Sequence, residues 1–288
     1  MRLDELFRQG TFVVTSELAP PKGTDLSQML ADAELVRGRV HAVNVTDQQS
    51  SVMRLGSLAA CHVLKERGFE PIYQLTCRDR NRIALQSDLL SASALGIENV
   101  LCLTGDYVSL GDHPEAKPVF DLDSVFLLQA ASVLESGRDL AGKELTGTPS
   151  FCKGAVVTPG AEPVEPQILK MEKKVWAGAQ FFQTQAIYEP EKLARFVKAV
   201  EHLNVPIMAG IVLLKSAGMA RFMNRNVAGV HVPEPLIAEM ESAPNKAKKS
   251  VEIAARLIRA AKEVCQGVHI MPIGWERRVP EVLDAAGL

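Results

Sequence analysis

Carboxyl groups that close apolar runs are the residues in this sequence most able to do chemistry. Glu17 ends the run 11–17, and Pro20 and Pro21 follow it closely. If the run is a buried strand, the carboxyl group is partly removed from water, which favours its protonated form. Such a group can act as a general acid near neutral pH. A strand-end glutamate that simply faces water is the alternative, and position alone favours neither.

Two more polar residues stand at the ends of later apolar runs. Asp106 comes after Thr104 and Gly105, and the glycine would let the backbone approach a ligand closely. Gly-Asp is also common in turns, and for Asp106 alone the turn is the better interpretation. Gln185 ends the run 181–185, where a buried amide must find hydrogen-bond partners. Those partners belong either to a ligand or to a neighbouring loop.

Several basic residues and one cysteine have both a chemical and a structural interpretation. Arg78, Arg80 and Arg82 could meet an anionic ligand, such as a phosphate or a glutamate tail, but such a run is more often a solvated helix start. Lys174 could reach a phosphate, whereas a surface lysine is the default interpretation. Cys77 has no histidine near it in sequence and is predicted to pack rather than to act as a nucleophile.

Neither the histidines nor the cysteines are spaced as metal ligands. The six histidines form no H-x-x-x-H or H-x-x-E-H pair, and no two of the five cysteines fall within four residues of each other. We therefore predict no metal site. An odd number of widely spaced cysteines also argues against a disulfide framework and predicts the reducing cytoplasm.

The overall composition excludes several classes of protein. The 288 residues carry 32 Lys+Arg against 34 Asp+Glu, a formal net charge of −2, which leaves no basic footprint for nucleic acid. No apolar run reaches the roughly 18 residues that a membrane span needs. The first residues, MRLDELF, are too polar for a signal peptide. A chain of this length can bury a large core without disulfides.

Short apolar runs alternate with amphipathic stretches along the whole chain. The predicted strands are 11–17, 40–46, 71–76, 99–104, 151–157, 181–185, 206–212 and 268–271. The predicted helices between and around them are 25–36, 53–67, 81–95, 124–134, 166–177, 190–202, 216–224 and 246–264. Long loops are expected at 106–123 and 137–150.

Eight alternating strands and helices predict an α/β protein built as a single (β/α)8 TIM barrel, with residues 1–288 as one catalytic domain. An open doubly wound sheet is the alternative that periodicity does not exclude. The first strand is not followed by a G-x-G-x-x-G turn, which weakens a Rossmann interpretation. In a barrel, the carboxyl ends of the strands meet at one mouth, so the polar residues described above would converge there.

The strand-end motifs resemble those of the methylenetetrahydrofolate reductase family over almost the whole chain. The matching segments are TSELAPP at 15–21, VNVT at 43–46, QLTC at 74–77, LTGD at 103–106, KVWAGA at 174–179 and TQ at 184–185. No single segment is diagnostic, but their order and spacing are specific together. The stretch HIMPIGW at 269–275 is similar to the short, catalytic-domain-only form of bacterial and archaeal one-carbon pathways.

The resemblance implies flavin-dependent reduction of 5,10-methylenetetrahydrofolate to 5-methyltetrahydrofolate at the mouth of the barrel. Glu17 matches the family's general acid, which protonates N10 so that the five-membered ring opens to an iminium. Asp106 matches a catalytic aspartate that contacts the folate, and Gln185 matches a glutamine that binds the pterin. Thr46 matches a flavin-contacting threonine, and Lys174 matches a lysine near the phosphates of the cofactor.

The same resemblance places further cofactor-binding positions around the mouth, at Gln74, Thr76, Thr104, Gly105, Gly154 and Ala155. Gln74 and Thr104 depart from the histidine and arginine of the FAD-dependent members, and the region of Gly154 replaces a tyrosine-proline pair. These departures fall on the adenine, diphosphate and nicotinamide side, so they leave open FMN in place of FAD. They also leave open whether NAD(P)H or a redox partner subunit donates electrons, in an oligomer or a larger complex.

Three other functions remain open at this point. One is a flavin-free reductase that takes hydride directly from NAD(P)H. Another is a non-redox, pterin-binding barrel for methyl transfer or carriage. The third is a non-catalytic subunit that only scaffolds a redox complex.

Overall fold

Eight short strands pair in parallel and in sequence order in the computed structural model, which describes residues 2–288, and the last strand closes on the first. The strands are β1 (Val13–Leu18), β2 (Ala42–Val45), β3 (Pro71–Thr76), β4 (Asn99–Leu103), β5 (Cys152–Val157), β6 (Phe181–Ala186), β7 (Ile207–Val212) and β8 (Gly267–Met271). The closure confirms the predicted barrel and excludes the open doubly wound sheet. All eight predicted strands are present, with ends that differ by a few residues.

Eleven α-helices lie within residues 2–288. They are α1 (Leu3–Arg8), α2 (Ser27–Leu35), α3 (Ser57–Glu66), α4 (Arg82–Ala94), α5 (Ser124–Glu135), α6 (Glu165–Trp176), α7 (Pro190–Ala199), α8 (Ala217–Asn226), α9 (Glu234–Ser242), α10 (Lys246–Lys262) and α11 (Val279–Ala286). Eight of them match predicted helices, whereas α1, α9 and α11 were not predicted. These three are short, and a few turns give too little periodicity to detect.

The inside of the barrel is apolar at its lower end and polar towards the mouth. An apolar cluster fills the lower end, and Leu3 and Leu6 of α1 pack against it; its strand members are Val13, Ala42, Ile72, Leu101, Cys152, Phe181 and Met208. Because strand side chains alternate between faces, the residues two positions later also point inward. Those residues include Thr15, Asn44 and Gln183, which are polar and buried.

The opposite faces of the strands pack against the surrounding helices. Val14, Val43, Tyr73 and Phe182 belong to this larger apolar cluster, together with buried residues of α4, α5 and α10. Parallel strands that are buried on both faces account for the nearly continuous apolar runs in the sequence. Within residues 2–288, no helix has both the length and the apolar character that crossing a bilayer requires.

Candidate active site at the barrel mouth

Glu17 lies on β1 with its side chain directed into the mouth, and only 9 % of the residue is exposed. Gln49 donates from Nε2 to Glu17 Oε1 at 3.1 Å. On the other side, Nε2 of His269 stands 3.7 Å from Glu17 Oε2. The carboxyl group is therefore buried and contacted on both oxygens, which contradicts the alternative of a glutamate that simply faces water.

A pair of amides closes the barrel below Glu17. Asn44 donates to Gln183 Oε1 at 2.8 Å, and Gln183 donates back to Asn44 Oδ1 at 3.2 Å. These residues belong to β2 and β6, which stand opposite each other in an eight-stranded barrel. Their reciprocal bonds cross the interior, so a ligand has room only above them, at the level of Glu17.

Thr46 is the predicted flavin contact, and its side chain is buried directly after β2. Its hydroxyl oxygen has no hydrogen-bond partner among the described residues. A buried hydroxyl without a partner is uncommon and needs an explanation, such as a bound group. The geometry of Thr46 therefore fits a polar atom of a cofactor or substrate at the mouth.

Asp47, the next residue, is the centre of a buried ionic network. It accepts from the Thr76 backbone N–H at 2.9 Å and from the Thr76 hydroxyl at 2.8 Å. Arg80 donates to both carboxylate oxygens of Asp47, at 2.7 and 3.2 Å, and also pairs with Asp88 at 2.8 Å. Burial alone would lower the pKa of the Arg80 guanidinium, but the charge of Asp47 and its hydrogen bond hold that pKa above its ordinary value.

The prediction that the three arginines form a solvated helix start is wrong for Arg78 and Arg80. Arg78 is 2 % exposed, and Arg80 is held in the network around Asp47. Only Arg82 follows the prediction, since it lies half-exposed in an ion pair with Asp121. Charged side chains are rarely this buried unless they are paired, and the residue types alone do not reveal the partners.

Arg78 joins two loops of the mouth. Its guanidinium donates to the Ser51 hydroxyl at 3.1 Å and to the Gln48 carbonyl at 3.3 Å, both in the loop after β2. It also reaches the Asp106 carbonyl, after β4, at 3.5 Å and pairs with Asp79. One buried side chain therefore fixes the loop that carries Gln49 relative to the loop that carries Asp106.

Asp106 is exposed at the mouth, and its carboxylate accepts from the Ser50 backbone N–H at 3.1 Å. The preceding Gly105 has φ 97°, a left-handed conformation that favours glycine, and an added Cβ would lie 3.0 Å from the Cβ of Arg78. The two predicted catalytic residues are thus connected through one loop, because Gln49 contacts Glu17 and the adjacent Ser50 contacts Asp106.

Gln185, the predicted pterin contact, lies at an irregular end of β6. The register between β6 and β7 shifts between Gln183 and Ala186. Gln185 Oε1 accepts from the Ala186 backbone N–H at 3.0 Å, while its Nε2 has no hydrogen-bond partner among residues 2–288. Irregularities of this kind often redirect a side chain beside an active site. The carboxamide nitrogen of Gln185 is therefore available to a ligand.

The other predicted cofactor positions have different surroundings. Gln74 is buried on β3, and the Thr104 hydroxyl accepts from the Ser124 backbone N–H at the start of α5 at 3.1 Å. Gly154 faces the Phe181 ring, from which an added Cβ would lie only 2.2 Å away. Ala155 packs in the helix-facing cluster, so only its backbone could line the mouth.

Lys174 is buried between α6 and β5, which contradicts the default interpretation of a surface lysine. Its Nζ donates to the Val156 carbonyl at 2.6 Å. Burial, reinforced by the nearby charge of Lys170, lowers the pKa of Lys174 to about 8. An anion that approached this amine would favour its protonated form, which is consistent with a position near a phosphate.

Replacing Lys174 with methionine gives a pH-dependent effect on stability. The folded-state pKa is about 8 and the ordinary value is 10.5. Between these values the unfolded chain binds the proton that the folded chain has lost, so the wild type gains stability as pH rises. We expect its free energy of unfolding, relative to that of Lys174→Met, to rise by on the order of 3 kcal/mol over this window. Denaturant titrations at a series of pH values measure the difference, and a pH-independent difference would contradict the lowered pKa.

Cys77 has the packing role that was predicted for it. The residue is fully buried, and burial raises the pKa of its thiol to about 12. A thiol in that state supplies almost no thiolate at neutral pH, so it is unsuited to nucleophilic catalysis. Among residues 2–288, no group of three or more histidine, cysteine or acidic side chains is arranged to hold a metal ion.

The sequence places Asp47, Gln49 and Gln183 among the polar residues at strand ends but assigns none of them a role, and it does not single out Asn44 or His269. Alternation along β8 could have placed His269 on the inward face, and alternation along β6 could have done so for Gln183. Nothing in the local pattern could have shown that Gln49 turns back to Glu17, because that contact depends on the conformation of the loop.

Comparison with known proteins gives a consistent result. The family model described as methylenetetrahydrofolate reductase matches residues 2–287. Methylenetetrahydrofolate reductase 2 of Schizosaccharomyces pombe is 27% identical over 241 residues, which cover 74% of this chain and 35% of that protein. The 5,10-methylenetetrahydrofolate reductase of Salmonella typhimurium is 25% identical over 254 residues, 86% of this chain and 80% of that protein. The chain thus spans about a third of the yeast relative and most of the bacterial one.

Solved structures support the fold. A Clostridium thermocellum protein described as binding two copies of 5-methyl-5,6,7,8-tetrahydrofolic acid superposes with a TM-score of 0.67 at 14% identity, and the match covers 99% of this chain and 98% of that one. A 2,3-dimethylmalate lyase superposes with a TM-score of 0.55 at 11% identity, covering 100% of this chain and 89% of that one. At these identities the similarity shows a shared barrel and nothing about the ligand.

Proposed function

Because the chain belongs to the methylenetetrahydrofolate reductase family, we propose that it reduces 5,10-methylenetetrahydrofolate to 5-methyltetrahydrofolate at the barrel mouth. The observation that carries the proposal is the Glu17 carboxyl group, which is 9 % exposed and contacted on both oxygens above a closed barrel floor. A group in this position can hold a proton out of water and deliver it to a bound substrate.

Glu17 performs the acid step in this proposal. The amine N10 is a poor leaving group, and protonation by Glu17 lets the bond between the methylene carbon and N10 break, with the electron pair going to N10. The product of ring opening is an iminium at N5, and Glu17 is left as a carboxylate. Gln49 now occupies Oε1 at 3.1 Å, so the substrate amine has to displace its amide to receive the proton.

A flavin, when bound, would supply the hydride that reduces the iminium to a methyl group. The partnerless hydroxyl of Thr46 fits such a group, and Gln74, Thr76 and Gly105 line the same mouth, whereas Gly154 lies deeper in the barrel against the Phe181 ring. Lys174, on α6, would neutralise the charge of a cofactor phosphate. The side chains of Thr104 and Ala155 instead contact other parts of the protein, the start of α5 and the helix-facing apolar cluster. We propose FAD or FMN, the latter because Gln74 and Thr104 depart from the adenine-side residues of the FAD enzymes.

An absorption spectrum of the purified chain, followed by mass analysis of any cofactor released by heat, tests the flavin. Yellow protein that releases FMN or FAD, and that 5,10-methylenetetrahydrofolate reoxidises after reduction, would support the proposal. Colourless protein that takes up no flavin but converts the folate with NAD(P)H would favour a flavin-free reductase. Colourless protein that binds folate without converting it would favour a methyl-transfer or carrier barrel.

The electron donor and the assembly are part of the same proposal. We propose a soluble enzyme of the cytoplasm that receives electrons from NAD(P)H or from a redox partner subunit, as an oligomer or within a complex. Anaerobic mixing of the oxidised enzyme with NADH and with NADPH separates the two donors. Reduction by either nucleotide identifies it as competent, and no reduction by either would favour the partner subunit.

Asp106→Asn is expected to slow the reaction with folate more than the reduction of the flavin. The exchange removes the negative charge at a position that we assign to the folate, and with it one charge-assisted hydrogen bond. We therefore expect the rate of the folate half-reaction to fall about 10-fold. Stopped-flow measurement of the two half-reactions gives the comparison. If both half-reactions slowed equally, Asp106 would not act through the folate.

A further inference from the structure

His269 is a buried histidine that the proposed reaction does not yet use. It lies on β8, is 3 % exposed, and points into the barrel beside Glu17. Its Nδ1 is 3.0 Å from the hydroxyl of Thr15, and its Nε2 is 3.7 Å from Glu17 Oε2. Thr15 and Glu17 are two residues apart on β1, so both face the same ring.

The Thr15 hydroxyl is the hydrogen-bond partner of the His269 nitrogen that faces away from Glu17. A neutral imidazole carries one N–H, and its other nitrogen is an acceptor. When the Thr15 hydroxyl donates to Nδ1, the hydrogen of the ring is on Nε2, which faces Glu17. Thr15 is fully buried and the ring makes no other hydrogen bond within residues 2–288, so this threonine orients the ring, and the form with hydrogen on Nε2 is the one that offers a donor to Glu17.

After the acid step, the Glu17 carboxylate needs a hydrogen-bond donor. Proton donation leaves a carboxylate at a position that is 9 % exposed, and a buried charge is costly unless hydrogen bonds compensate it. Gln49 supplies one hydrogen-bond donor, but that donor contacts Oε1, the oxygen that we assign to the substrate amine. Once the substrate has displaced Gln49, the Nε2–H of His269 is the remaining side-chain donor on Glu17 among the described residues.

We propose that His269, oriented by Thr15, is a positioning residue that holds Glu17 Oε2 and stabilises the carboxylate formed when Oε1 gives its proton to the substrate. The inference rests on the proposed acid role of Glu17. The separation of 3.7 Å is longer than a hydrogen bond, and contacts of this kind often shorten only when the substrate is bound. Oε1 is thereby left as the oxygen that faces the substrate.

The pair Thr15→Val and Thr15→Ser gives a matched test, because valine keeps the shape of threonine and serine keeps its hydroxyl. The measurement is the single-turnover rate of 5,10-methylenetetrahydrofolate reduction by the reduced enzyme. We expect Thr15→Val and His269→Leu each to lower this rate about 10- to 100-fold, which corresponds to the free energy of one hydrogen bond to a charged group. Thr15→Ser should recover most of the rate. The dissociation constant of 5-methyltetrahydrofolate should change less than about 3-fold, since its binding requires no proton transfer.

A double variant separates a role through Glu17 from a general loss of structure. If Thr15 acts through the acid, adding Thr15→Val to Glu17→Gln should not lower the rate of folate reduction any further. If the two residues act independently, the rate losses of the two single variants should multiply in the double variant. Nitrogen NMR of the histidine rings gives a readout besides activity: we expect the Nε2–H form of His269 in the wild type and in Thr15→Ser, and loss of that preference in Thr15→Val. The exposed His202, replaced by glutamine, is the control for histidine substitution.

The outcomes distinguish this inference from the proposed function. Failure of the wild type to convert 5,10-methylenetetrahydrofolate, or an unchanged rate in Glu17→Gln, would overturn the proposed function and the inference with it. A slow Glu17→Gln together with unchanged Thr15→Val and His269→Leu would overturn the inference alone. Equal losses in Thr15→Val and Thr15→Ser, or multiplied losses in the double variant, would also overturn it.

Discussion

Glu17→Gln is expected to lower the rate of folate reduction by about 10²-fold or more while flavin binding is preserved. Loss of a positioned general acid typically has an effect of this size. Glutamine has nearly the same shape and can still bond to Gln49 and His269, so the barrel should fold as before. It lacks a transferable proton, and N10 would then have to leave without protonation. Single-turnover measurement with the reduced enzyme isolates this step from flavin reduction.

The control for Glu17→Gln is Glu66→Gln, the same exchange at an exposed residue at the end of α3. Crossover helices run back along the barrel, so Glu66 lies at the end away from the mouth. We expect wild-type rates for this variant in both half-reactions. A near-normal rate of folate reduction in Glu17→Gln would remove Glu17 from the mechanism, and a loss of flavin as well would mean that the exchange disturbs the mouth as a whole.

The order of the strands and the placement of Glu17 could be predicted because they depend on local pattern. A strand buried on both faces leaves a short apolar run, and eight such runs between helical stretches have few arrangements other than a barrel. Glu17 ended one of these runs, and the barrel then placed it at the mouth. The open sheet remained a second solution until the pairing of β1 with β8 decided between them.

The partners of the charged residues could not be predicted in the same way. Arg78 and Arg80 follow β3 in a segment that looks like a solvated helix start. Arg78 is nevertheless buried and the Arg80 side chain is only 19% exposed, because carboxylates and carbonyls from other loops surround them. Lys174 was misjudged for the same reason, since its partner is the Val156 carbonyl on a neighbouring strand. Such contacts form between segments that are distant in sequence, and a single sequence does not show them.

Backbone strain is concentrated around the mouth. Non-glycine residues with positive φ occur in the loop after β2, in the loop after β4 and after β8, at Gln48, Ser50, Ser51, Phe120 and Ile273. Conformations of this kind cost of order 1–3 kcal/mol each and persist where the surroundings enforce them, as at ligand sites. In the loop after β2, the strained residues flank Gln49 and hold its side chain against Glu17. The loop thus holds the Gln49 amide over Glu17, and in the reaction proposed above the substrate amine has to displace it.

The Asp47–Arg80 pair is the part of this framework whose disruption should affect stability most. Asp47→Asn is expected to lower the free energy of unfolding by about 3–5 kcal/mol, the usual cost of breaking a buried ion pair. The Asp47 side chain is 0% exposed, and the exchange leaves the Arg80 guanidinium facing an amide N–H instead of a carboxylate oxygen. Thr76 loses its carboxylate acceptor at the same time. Urea unfolding followed by circular dichroism measures the change.

Asp284→Asn is the matched control, because Asp284 also pairs with an arginine, Arg39 at 2.7 Å, but its side chain is 70% exposed. Exposed ion pairs contribute little, so this variant should lie within about 1 kcal/mol of the wild type. The contrast between the two variants separates burial from pairing as the source of the effect. If Asp47→Asn cost no more than Asp284→Asn, Asp47 would not secure the mouth, and the positions of Thr46 and Thr76 would have to depend on other contacts.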